Sequence, residues 1–146
     1  MASIFDLIFP KYCLECKKPG QYLCADCVDK LRPLPRMSLV TRIFSYKGVI
    51  RKVIIALKFK FAYSVAEELA EVSFARLTRY RFNLPSEAIL VPIPLHPKRE
   101  RFRGFNQAAE VGKLLAKKTG WDYVSDLLIR QRPTVSQTCL ERHSRA

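Results

Sequence analysis

Hydrophobic positions change period several times along the chain, and each change predicts an element. Ile4, Phe5, Leu7, Ile8 and Phe9, broken by Asp6 and stopped by Pro10, read as a short amphipathic helix with Phe5, Ile8 and Phe9 packed on the body of the protein. Leu39 to Tyr46 is strand-like, with Val40, Ile43, Phe44 and Tyr46 ahead of a turn at Lys47-Gly48. Ile50, Val53, Ile54 and Leu57 then recur at helical spacing, with Arg51, Lys52, Lys58 and Lys60 on the charged side or end. A second helix is predicted from about Ser64 to Tyr80. Its apolar face is Ala66, Leu69, Ala70, Ser73 and Leu77, and Ser64 with Glu67 matches a capping box. Its acids come early and Arg76, Arg79 and Arg81 late, as the helix dipole favours.

Ala88 to Ile93 is a continuous apolar run, read as a buried strand halted by Pro92, Pro94 and Pro97. A polar loop follows. From Asn106 a third helix carries Ala108, Val111, Gly112 and Leu115 on one face and ends at Lys117-Lys118 before Gly120. Trp121 to Ile129 includes a last strand. The resulting order of strand, helix, helix, strand, loop, helix, strand predicts an α/β fold with a mainly parallel sheet. Ligands of such sheets bind at the carboxyl ends of strands, which points to residues 92–107. Leu31-Arg-Pro-Leu-Pro35 reads as a stiff linker, dividing a small module at 1–35 from a larger unit at 36–146.

Composition sharpens this picture. The 146 residues suit one compact domain with a small satellite and exclude a large two-domain enzyme. The five glycines are widely separated, so no phosphate-cradling glycine-rich loop can be assembled from them. The net charge is +13. Residues 1–34 hold five basic and four acidic groups, 35–85 ten and three, and 86–146 eleven and six, so the excess lies outside the N-terminal module. Such an excess favours a polyanionic partner, although it also serves to keep a protein soluble. The absence of a long apolar stretch or a basic leader predicts no membrane span and a cytoplasmic location with reduced thiols.

Cys13, Cys16, Cys24 and Cys27 form two C-x-x-C knuckles, a tetrathiolate pattern suited to a structural zinc ion. Two disulfides or a redox dithiol are the competing readings. The reduced compartment disfavours the first, and a redox pair does not need two knuckles. Pro19-Gly20 supplies the turn between knuckles, and Lys11, Lys17 and Lys18 are placed to offset the charge of a zinc tetrathiolate. With all four ligands from protein, such a centre is not catalytic. Cys139 reads as an ordinary thiol.

The most distinctive segment runs from Val91 to Gln107. A proline-stiffened bend precedes Lys98, Arg99, Arg101 and Arg103, which are interleaved with Phe102 and Phe105 and followed by Asn106 and Gln107. Arginine forks clamp phosphate and phenyl rings stack bases, so these residues, with Lys58 and Lys60, are the candidate phosphate or nucleic-acid contacts. The alternative is a solvated basic loop anchored by two aromatics. His96 has the chemistry of a general acid or base but sits in a Pro-Leu-His-Pro bend with no identifiable carboxylate partner, and reads as a loop hydrogen-bonder. His143 carries still less weight, and no catalytic residue is assigned.

The order of these features resembles the ComF family of competence-associated, phosphoribosyltransferase-like proteins. The matching segments are the cysteine knuckles, Tyr46-Lys-Gly-Val-Ile-Arg51, Ile55-Ala-Leu-Lys58, Val91-Pro-Ile-Pro-Leu-His96 and Arg101-Phe-Arg-Gly-Phe-Asn-Gln107, then Arg130, Thr134, Gln137, Leu140 and Arg145. The resemblance implies a zinc-ribbon-like module joined to an incomplete type I phosphoribosyltransferase-like sheet flanked by helices. It further implies single-stranded DNA or a phosphoribosyl-type ligand as partner, a role in DNA uptake beside uptake or recombination proteins, and Mg2+ only where a transferase site is complete. Full-length relatives continue into paired acids and a Thr-Thr-Gly turn that grips a ribose phosphate. This sequence has neither beyond Gln107, so the isolated chain is expected to be inactive as a transferase, as a shortened binding module or as a fragment needing its other half.

Overall fold

The computed structural model describes residues 10–31, 42–59, 63–79 and 85–133. Among them the chain forms α1 (Ala25–Asp29), α2 (Gly48–Phe59), α3 (Tyr63–Arg79), β1 (Ile89–Leu90), α4 (Pro97–Arg103), α5 (Gln107–Thr119) and β2 (Asp122–Tyr123), in that order. The N-terminal helix, the linker at 32–35, Lys60, Cys139, His143, Thr134, Gln137, Leu140 and Arg145 lie outside the described residues.

Helical periodicity is translated directly into burial. Val49, Ile50, Val53 and Leu57 of α2 face the core, with Ile54 half-buried. The α3 face contains all five expected residues plus Val65 and Arg76. Helix α3 packs most extensively on α5, and both carry small buried residues, Ala66, Ala70 and Ser73 on one and Gly112 and Ala116 on the other, which lets the axes approach. The α5 stripe therefore centres on Gly112 and Ala116 rather than on Ala108, which is exposed. A Cβ on Gly112 would lie 2.8 Å from Leu90 Cδ2, so this glycine also sets how closely α5 lies over the sheet. Both ends of α5 follow the sequence signals: Asn106 caps the start through Oδ1, which accepts from the Ala108 N–H at 3.0 Å, and Gly120 closes the end at φ 77°.

The cysteine segment belongs to the same core. Cys13, Leu23, Cys24, Cys27 and Val28 pack in one cluster with the buried faces of α2 and α3. Arg76, expected late in the helix as the dipole favours, reaches under the module: its guanidinium donates to the carbonyls of Val28 and Leu31 and lies 5.1 Å from the Phe44 ring centroid. Glu68 makes the second tie, accepting from the N–H groups of Tyr22 at 2.7 Å and Leu23 at 2.9 Å.

Burial pushes the Glu68 carboxyl above its ordinary pKa, and the Leu23 and Tyr22 N–H bonds offset this only in part. The folded state thus holds the proton more tightly than the unfolded chain, so this group's contribution is greatest below the unfolded pKa and declines as pH rises through the folded value. Glu68→Gln, which keeps an acceptor oxygen, is expected to fold normally. Glu68→Ala leaves two N–H groups without their acceptor and should cost about 1–3 kcal/mol in chemical denaturation. The stability of the Gln variant relative to the parent should be highest near neutral pH and fall on acidification; a pH-independent difference would refute the assignment.

The sheet is smaller than expected. Strands β1 and β2 run parallel, with Ile89 opposite Asp122 and Leu90 opposite Tyr123, and are joined across α4 and α5. Asp122 N–H donates to Ala88 O at 3.1 Å and Val124 N–H to Leu90 O at 3.2 Å. Pro92 and Pro94 remove the donors that would extend β1, so the apolar run 88–93 yields two strand residues, and Ile89 and Ile93 are exposed rather than buried. The 121–129 segment likewise leaves the ladder after Tyr123 and exposes Leu127, Leu128 and Ile129. Residues 42–46 form no strand: Phe44 packs against the core, under which Arg76 sits. The described residues thus form a helix-rich α/β arrangement with a two-strand parallel sheet, in place of a broad parallel one. No helix among them is long and apolar enough to cross a membrane.

Candidate functional site

The four cysteines converge. Their sulfurs all lie within 4.8 Å of one another, and Cys16 Sγ is 3.4 Å from Cys24 Sγ. A hairpin builds the first knuckle: Tyr12 and Pro19 form an antiparallel bridge, Gly20 N–H donates to Lys11 O at 2.8 Å, and Cys13 N–H to Lys18 O at 2.8 Å. Lys17 takes the left-handed conformation at φ 65°, closing the turn after Cys16. A helix start builds the second knuckle. Cys24 stands at the N-cap of α1, and its carbonyl accepts from the N–H groups of Cys27 and Val28, each at 3.1 Å.

The electrostatics of this group fit a bound cation. Burial opposes ionisation of Cys13, but the N–H groups of Cys16, Cys24 and Glu15 outweigh it and bring the thiol down to about 6. Burial raises Cys24, and burial together with the adjacent sulfurs pushes Cys27 up to about 12. One thiolate forms readily while its neighbours resist, which is expected where several anions must share a small volume. A dication relieves that repulsion. Tetrahedral bonds of about 2.3 Å place sulfurs about 3.8 Å apart, between the shortest and longest separations seen. Cys13, Cys24 and Cys27 are buried and Cys16 is exposed, so the centre sits at the edge of the core. Of the lysines expected to offset its charge, Lys18 is paired with Asp26 on the surface, and Asp26 first, then Cys16 and Cys24, hold its ammonium above the ordinary pKa.

A second constellation lies at the carboxyl ends of β1 and β2. The expected basic loop is a two-turn helix, α4. His96 supplies its N-cap, with Nδ1 accepting from Lys98 N–H at 3.3 Å; Pro97 is the first helical residue, and Gly104 at φ 82° terminates it. His96 is therefore a capping residue. Lys98, Arg101 and Phe102 are exposed on α4, Phe102 to 86%. Arg103 is half-buried and donates to Gln107 Oε1 at 3.2 Å, while Gln107 Nε2 is buried with no hydrogen-bond partner among the described residues. Arg99 and Phe105 are half-buried and engaged in contacts. Asn106 is buried and uses both ends of its amide within the fold, since Nδ2 also donates to Ile93 O at 3.1 Å. Lys58 stands apart from this group, in the last turn of α2, which packs on α1 and α3.

The strand-end segment 92–107 supplies most of this end, and residues after β2 that the sequence reading did not single out complete it. Pro92 and Pro94 after β1, Pro97 and Glu100 of α4, and Asp126 and Leu128 after β2 enclose a cleft of about 280 Å³. The strand-end rule, applied to the segment after Tyr123 as well as to that after Leu90, was the available signal for Asp126.

No protein-family model, curated protein or solved structure matches the chain.

Proposed function

We propose that the chain is a ComF-like binding protein in which a structural zinc ion at Cys13, Cys16, Cys24 and Cys27 braces a surface for single-stranded DNA. The observation that carries this reading is the outer face of α4, where an almost fully exposed phenyl ring stands between cations in a chain of charge +13. An exposed Phe gives up its burial energy, and a ring beside Lys98 and Arg101 is the arrangement that stacks a base while the cations take the flanking phosphates. Thiolate donors and the closed four-ligand set favour zinc over harder cations. DNA uptake, and contacts with uptake or recombination proteins, follow from the family resemblance. Phosphoribosyl transfer, a second reading from the same resemblance, would require Mg2+ and a diphosphate-binding loop.

Fluorescence anisotropy with short labelled oligothymidylates tests the binding reading. The parent chain is expected to bind at low salt, and Phe102→Ala to weaken binding by about 1–3 kcal/mol without altering the circular dichroism. Absence of binding at low salt would refute it.

A further inference from the structure

Three of the clustered cysteines are buried and the fourth is not. Cys13, Cys24 and Cys27 belong to the core, whereas Cys16 stands at the surface on a hairpin turn whose residues 15–20 are all exposed. Its sulfur nevertheless touches the opposite knuckle, with Cys16 Sγ 3.4 Å from Cys24 Sγ. An oxidant in water therefore reaches one corner of the centre, and the thiol that would resolve a first oxidation already lies beside it. A disulfide requires the two sulfurs to close from 3.4 Å to about 2.05 Å. The approach falls to the Cys16 side. Cys24 is held by its place in the core cluster and by its carbonyl, which accepts from the N–H groups of Cys27 and Val28, while the turn that carries Cys16 has solvent on its outer side.

We propose that Cys16 is an oxidation site: hydrogen peroxide converts its thiolate to a sulfenic acid, Cys24 captures that group as a disulfide across the two knuckles, and zinc is expelled. The inference rests on the proposal that the four cysteines hold zinc. In the first step the Cys16 thiolate attacks one peroxide oxygen, the O–O bond breaks, and the departing hydroxide takes a proton from solvent. In the second the Cys24 thiolate attacks the sulfenic sulfur, the S–O bond breaks, and the second hydroxide is protonated in turn. Two thiolates thus supply the two electrons that reduce one peroxide to two waters. Cys13 and Cys27 remain, half of a closed four-ligand set, and the ion departs. The loss is felt beyond the turn, because Cys24 directly follows Tyr22 and Leu23, whose N–H groups donate to Glu68 of α3.

The test treats the zinc-loaded full chain with hydrogen peroxide beside a chromogenic zinc chelator and maps the disulfides by tandem mass spectrometry of non-reduced peptides. Peroxide is expected to speed zinc release about tenfold or more, in step with formation of the Cys16–Cys24 link, and a thiol reductant with added zinc should reverse both. Cys16→Ser binds the ion more weakly and loses it faster in buffer alone, so the quantity compared is the ratio of release rates with and without peroxide. That ratio should fall to about one in the variant. If the variant holds no zinc, the peptide map of the parent decides by itself. Zinc release that peroxide does not speed, or a first link within one knuckle or to Cys139, would overturn the inference and leave the zinc site standing. A parent chain that carries no zinc would remove both.

Discussion

Removing zinc from the four-cysteine centre is expected to unfold much more than the hairpin that carries it. Cys13, Cys24 and Cys27 share one apolar cluster with Val49, Ile50 and Val53 of α2 and Val65, Ala66 and Leu69 of α3. A tetrathiolate zinc contributes about 10–16 kcal/mol of apparent binding free energy in small modules near neutral pH, comparable with the whole stability of a typical domain, about 5–15 kcal/mol. A zinc ion bound there would therefore decide whether this chain is folded. Purified protein should carry one zinc per chain by elemental analysis. A strong chelator should abolish the near-ultraviolet dichroism and much of the helical signal, and zinc should restore both. Cys27→Ser should behave like the chelated protein. Cys16→Ser, at the exposed position, should retain weakened metal binding and a lower midpoint of thermal unfolding. Since Cys24 and Cys27 give up protons to bind metal, uptake should weaken as pH falls. A metal-free chain with unchanged dichroism would refute the assignment.

The second large effect concerns α4. For a single strand, the logarithm of affinity falls with the logarithm of salt with a slope of about −0.7 for each phosphate neutralised. Reversing two of the exposed cations, in Lys98→Glu/Arg101→Glu, should lower affinity on the order of a hundredfold at low salt and flatten the slope by about 1.4. Both side chains are exposed, so the thermal midpoint should move little. The parent and the variant should converge at high salt, where backbone electrostatics no longer contribute. An unchanged slope would place the strand somewhere other than α4.

The parts legible from sequence were those in which a single local rule operates without competition. The stripe through Ile50, Val53 and Leu57 and the one from Ala66 to Leu77 have the helical period, and Asn106 and Gly120 bracket α5 with side-chain and backbone caps; each is settled within one or two turns. The cysteine spacing is equally local. The strands were overdrawn because a continuous apolar run says nothing about how many neighbours the sheet provides, and the prolines after Leu90 were read as ending a strand that they confine to two residues. Helix α4 was hidden by its charge density, although Pro97 at its start and Gly104 at its end are regular boundary signals. Arg76 fits the helix dipole by its position late in α3; its burial follows from the carbonyls of Val28 and Leu31 that it reaches, more than forty residues earlier in the chain. The cleft is still less local, because it joins residues after β1 to residues after β2 only once the strands pair.

The clasp of Glu68 and Arg76 on the cysteine module also bears on how quickly the chain folds. Within the module the most distant ligands are Cys13 and Cys27, a short loop that closes at small entropic cost, whereas Glu68 and Arg76 reach back 45 to 48 positions. Closing the longer loop costs only about 1 kcal/mol more in entropy, but it presents α3 with a partner that exists only after the knuckles have formed. Under the zinc proposal, metal capture is expected early and docking of α3 late, so the refolding rate of the chain should rise with zinc concentration.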